Sequence, residues 1–154
     1  MSTVHAEHDE LRALSDADVE QLVQRVEAVT LPHAEWTHAA HLTYTVALLR
    51  RDGSGALDTF RASILRLNDA HGVTQTLERG YHETITRFYV WAVARELSLL
   101  PADATLGDVA THVVARFTDR TIPLRHYTKA RLMSWEARTG WVAPDLMPME
   151  ASSA

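Results

Sequence analysis

The sequence predicts a single all-α domain, a bundle of five or six helices running mostly up and down and ending in an irregular, proline-containing C-terminal tail. Three observations carry that expectation. Apolar residues recur at helical spacing, alternating β-branched runs are absent, and Gly, Pro and Asp cut the chain into six segments. At 154 residues and 46% hydrophobic content the chain fits one domain, able to bury about two-thirds of its unfolded surface. The expected division is a flexible segment over residues 1–14, a helical domain over 15–149 and a tail over 150–154.

Ser15 followed by Asp18 marks the first helix start, with Val19, Leu22, Val23, Val26 and Val29 continuing to Leu31-Pro32. The second helix opens near Thr37 as N-cap and carries Leu42, Val46 and Leu49 until Asp52-Gly53-Ser54-Gly55 breaks it. The third carries Leu57, Phe60, Ile64 and Leu67 to His71-Gly72, where glycine suits a left-handed end. Gly80 precedes a fourth with Ile85, Phe88, Ala92 and Val93 inward, halted by Pro101. A fifth covers about Leu106 to Phe117, and Pro123 separates it from a sixth, roughly His126 to Arg138. Two prolines then keep the tail from regular helix, and Trp141 and Leu146 are expected to pack it.

Composition narrows the chemistry. Cysteine is absent, which excludes disulfides, thiolate ligands, iron–sulfur clusters and cysteine nucleophiles, so any metal must be held by imidazole and oxygen. A net charge of −5, with Lys129 the only lysine and no dense basic run, argues against a nucleic-acid partner. The N-terminus lacks the basic start and apolar stretch of a signal peptide, and no run approaches the roughly 20 apolar residues of a membrane span. A cytoplasmic protein with no membrane partner is expected. No Gly-rich phosphate loop, GxSxG elbow or HExxH motif supports nucleotide-binding, serine-hydrolase or zincin readings.

Short connections favour antiparallel neighbours, which brings the ends of helices one, three and five to the starts of two, four and six. His38, His41, His71, His82, Glu83, Arg120 and His126 all fall at that pole. His38 and His41 share one helix face, where Cβ atoms three positions apart lie about 5–6 Å from each other and two imidazoles can chelate one ion. His82 is the candidate third ligand, aligned with Thr86 and Tyr89. Glu83 is either a further ligand or base, or a helix-start carboxylate bridged to Arg87. His71 either ligates or caps the carbonyls of the third helix. His126 and Tyr127, with Arg120 nearby, either bind the anionic end of a substrate or form a solvated basic surface. His5, His8, His33 and His112 lie elsewhere and receive no role, and the four tryptophans with Met133 are expected to fill the core.

The segments Trp36–Leu42 (WTHAAHL), Gly80–Thr86 (GYHETIT), Leu124–Thr128 (LRHYT), then Ala137-Arg138 and Trp141–Leu146 (WVAPDL), resemble a largely uncharacterised family of small bacterial helical proteins. The resemblance spans about Leu31 to Met149 and implies a family-like polar core of His38, His41, His82 and Glu83. A looser architectural likeness is to DinB-like metal-binding bundles, whose three histidines arise from separate helices and face one end. The HxxH pair and the six predicted helices depart from that pattern.

The first functional expectation is therefore a metal-dependent enzyme acting on a small molecule. His38, His41 and His82 would hold a divalent zinc, iron, manganese or nickel ion, with Glu83 catalytic, in hydrolase, lyase or oxygenase chemistry. Tyr44, Thr86, Arg120, His126 and Tyr127 are the candidate substrate-binding side chains. A second expectation is a non-catalytic ligand-binding or interaction domain whose histidines form a hydrogen-bond network with Tyr44, Tyr81, Tyr89 and Thr86. A third is a metal-free enzyme with His82 as base, oriented by Glu83 or Tyr127.

Overall fold

The computed structural model describes residues 13–150, so His5, His8, most of the expected N-terminal segment and residues 151–154 lie outside the described residues. The fold is all-α, with no strand among the described residues. Five long helices, α1 (Asp16–Glu27), α2 (His38–Asp52), α3 (Ala56–Ala70), α4 (Glu83–Ser98) and α5 (Leu106–Arg116), precede two short ones, α6 (Lys129–Leu132) and α7 (Trp135–Thr139). No helix is long and apolar enough to cross a membrane.

Local chemistry sets most helix starts. Ser15 and Asp18 form a reciprocal capping box on α1, and the Thr37 hydroxyl accepts the Ala40 N–H at the start of α2. α1 stops at Glu27, two residues before Val29 takes a left-handed φ of 58°, a strained conformation for a β-branched side chain.

α2 is the central helix. It packs against α1, α3, α4 and α5, and its run from Leu42 to Leu48 is buried all round. One core cluster, including Val46, Phe88, Val93 and Val113, lies toward α4 and α5; a second, including Leu48, Phe60, Ile64 and Leu67, lies toward α3. Each fully buried aliphatic side chain contributes about 1.5–3 kcal/mol of transfer free energy. The buried Thr43 and Thr45 hydroxyls donate to the Ala39 and His41 carbonyls one turn back, which lets polar residues sit inside this helix.

The sixth predicted helix is divided. Thr128 and Ser134 are in extended conformation and each caps a new helix, while Asp145 accepts both the backbone N–H and the hydroxyl of Thr128. These side-chain bonds compete with a continuous helical ladder and win. The tail is also held differently from expectation: Leu146 is 58% exposed. Instead, the Leu146 N–H donates to the His126 carbonyl, Arg131 Nε donates to the Ala143 carbonyl and Trp91 Nε1 donates to the Glu150 carbonyl. Nor do the tryptophans fill the core. Trp36 and Trp91 are half-buried, whereas Trp135, Trp141 and Met133 are exposed.

At the N-terminal end, Leu14 packs against the core and donates its N–H to Thr111, and Gly107 N–H donates to Asp16. A Cβ at Gly107 would lie 2.5 Å from the Leu14 carbonyl oxygen and 2.8 Å from the Asp16 nitrogen. Gly107→Ala is therefore expected to cost about 1–3 kcal/mol through overpacking of two backbones. Urea unfolding checks this, and a change within about 0.5 kcal/mol, usual for an unconstrained surface site, would contradict the close approach.

Candidate functional site

The pole anticipated from chain topology is present, and most of its histidines are spent on the backbone. Helix ends leave carbonyls without intrahelical partners, and imidazoles fill several of these vacancies. His38 Nε2–H donates to the Phe117 carbonyl at the end of α5 (2.8 Å), and His71 Nε2–H to the Leu31 carbonyl beyond α1 (2.9 Å). His126 Nδ1–H donates to the Met147 carbonyl (2.9 Å), clamping the tail.

His82 is the N-cap of α4, and both its ring nitrogens are engaged. Nδ1 accepts the Ile85 N–H (3.1 Å) while Nε2–H donates to the Leu132 carbonyl (2.8 Å), which requires the neutral Nε2–H tautomer. Burial lowers its pKa, opposed in part by the Leu132 hydrogen bond. Because His82 offers no lone pair outward, His38, His41 and His82 do not present a three-imidazole ligand set in this arrangement. Among the described residues, no group of three His, Cys, Asp or Glu side chains is placed to hold an ion.

Glu83 is not bridged to Arg87. It is almost fully buried and receives a two-pronged contact from Arg61 of α3 (2.8 and 2.5 Å) together with the Tyr81 hydroxyl (2.8 Å). Burial opposes its ionisation, yet Arg61 and Tyr81 hold the carboxyl below the usual range. Arg87 instead lies over the Trp141 ring, 4.6 Å from its centroid. Glu83 thus ties α4 to α3.

The expected substrate-binding residues divide. Tyr44 is fully buried, donating to Glu27 (3.2 Å) and sharing a 2.7 Å hydrogen bond with Ser63, and Tyr127 is fully buried with its hydroxyl on the Val142 carbonyl (2.7 Å). His126 faces Phe88 and Trp91. Arg120 and Thr86 do line open space, at separate parts of one cleft.

That cleft has two lobes, of about 390 and 300 Å³, which share Trp36, His41 and Ile85 as a waist. Arg120 lines the larger lobe and Arg79 the smaller, and no carboxylate lines either, despite 20 acidic residues in the chain. His41 stacks on Trp36 with centroids 3.9 Å apart and its ring makes no hydrogen bond with the other described residues, while its ring nitrogens are not sealed from solvent. Dense packing, with the fields of His38 and Arg120, pushes its pKa down to about 3. The Tyr89 hydroxyl is buried without a partner among the described residues, and burial with the Asp119 field pushes its pKa up to about 12. Arg120 makes no hydrogen bond or ion pair with the other described residues.

The depressed imidazoles set a pH dependence. Above about pH 7.5, a unit over the unfolded value of about 6.5, His41 and His82 are neutral in folded and unfolded chains alike, and the stability tied to that neutrality is complete. As pH falls below that value the unfolded chain takes up protons that the folded chain refuses, so stability drops toward the folded pKa of His41, about 3. Urea midpoints should fall between about pH 7.5 and 5, and less so for His41→Gln. A midpoint that holds or rises on acidification would contradict this environment.

Sequence reasoning assigned Trp36 to the core and placed Tyr89, seven positions after His82, only in the hydrogen-bond network of the second expectation. No family model, curated protein or solved structure matches the chain.

Proposed function

We propose that this chain is a ligand-binding helical domain whose two-lobed cleft takes a small molecule, with the polar pole serving as its frame. One observation carries the reading: His38, His71, His82 and His126 bond backbone carbonyls, whereas the His41 ring and Arg120 line one cavity with hydrogen-bonding capacity that no other described residue fills. Buried polar groups without partners are uncommon, and a concave, mostly apolar space with a few such groups is the usual form of a small-molecule site. The binding reading asks for no metal and no general base, so it is preferred here over metal-dependent or His82-based catalysis. It makes the pole an architectural network and the waist of the cleft a recognition surface.

The test pairs a fragment screen by saturation-transfer NMR with elemental analysis of untagged protein. Fragments are expected to bind the parent protein irrespective of EDTA and to lose binding in Ile85→Trp, which fills the waist. One equivalent of divalent metal, lost in both His38→Ala and His82→Ala, with fragment binding abolished by EDTA, would overturn the reading in favour of a metal-dependent site.

A further inference from the structure

We infer that the larger lobe takes the carboxylate of a small organic acid, held by Arg120 and His41, with the acid's apolar body lying along Trp36 and Ile85. The inference rests on the binding reading above and names its ligand class.

The donor inventory points to an acceptor-only headgroup. Arg120 brings a guanidinium with no ion-pair partner among the described residues, and a planar carboxylate matches its fork of N–H donors. The Tyr89 ring lines the lobe, while its hydroxyl is buried behind the lobe's surface. His41 supplies an N–H in either neutral tautomer, beside the cationic Arg120 on the same lobe. A neutral amide headgroup brings an NH₂ that meets these donors head-on. No carboxylate lines the lobe to repel the anion. Asp119, whose field reaches Tyr89, is itself occupied by the backbone N–H (2.8 Å) and hydroxyl (2.6 Å) of Thr121.

The remaining walls are apolar. Ile85, Leu132 and Met133 give the body of the ligand a surface to cover, and Trp36 adds an aromatic edge at the passage to the second lobe. A lobe of about 390 Å³ admits a one- or two-ring acid.

The probes are 2-naphthoate and its near-isosteric amide, 2-naphthamide, titrated against the parent protein and Arg120→Gln by two-dimensional NMR. Naphthoate is expected to bind at least about tenfold more tightly than the amide, with that preference lost in Arg120→Gln. Equal affinity for acid and amide, or a preference that survives Arg120→Gln, would overturn the inference while leaving the cleft as a binding site. Displacement of naphthoate by millimolar inorganic phosphate alone would overturn it in favour of a phosphate site. Failure of both naphthyl probes to bind would overturn it together with the binding reading.

Discussion

Arg61→Met is expected to destabilise the protein by about 2–4 kcal/mol, the upper end applying to a fully buried pair and the lower end allowing for the part-exposed guanidinium. The substitution keeps the aliphatic stem but leaves Glu83, whose side chain is 10% exposed, with only the Tyr81 hydroxyl. Adding Glu83→Gln should recover much of the loss, since the buried charge that needed compensation is gone. Urea denaturation of the four-member cycle measures the coupling. A single-variant loss below about 1 kcal/mol would place Glu83 on the surface, where exposed pairs contribute that little. The acid limb carries a second signature. The depressed Glu83 pKa contributes stability that is complete above the unfolded value of about 4.3 and is lost as pH falls through the folded value, and Glu83→Gln should flatten that limb.

His82→Ala is expected to cost about 2–4 kcal/mol, combining a lost helix cap of about 1 kcal/mol with a buried Leu132 carbonyl left unsatisfied. His82→Asn should restore part of this, because asparagine can still accept the Ile85 N–H but is too short to reach Leu132. Thermal and urea unfolding with and without zinc separate this role from ligation. Parent stability that rises with zinc and a His82→Ala variant that matches the metal-free parent would contradict it.

Much of the fold was legible because its determinants are local. The Ser15 and Thr37 caps and the Gly53 and Gly72 breaks act within a few residues, so α1 to α3 follow from them. The division at Thr128 and Ser134 was not legible, since Asp145, which holds Thr128, lies 17 positions away. The gathering of histidines at one pole was legible from topology alone. Their partners were not, for a physical reason: helix ends bring imidazoles together and also expose the orphan carbonyls that compete for their nitrogens. His38 finds Phe117 across 79 residues and His82 finds Leu132 across 50. The same holds for Glu83, where a local i, i+4 rule pointed to Arg87 and the tertiary contact with Arg61 prevails. Trp36 entered the site through cavity shape, which no spacing rule reports.

The central claim is that the pole histidines are backbone partners while His41 alone among them faces the cleft uncommitted, and ¹⁵N imidazole NMR tests it most directly. At about pH 8, where unperturbed imidazoles are neutral, His38, His71 and His82 should appear as Nε2–H tautomers and His126 as Nδ1–H, unchanged by added zinc or EDTA. His41 should remain neutral on acidification well below the point where an unperturbed histidine titrates. Averaged tautomers at His38 and His82, with zinc shifting the two together with His41, would contradict the account.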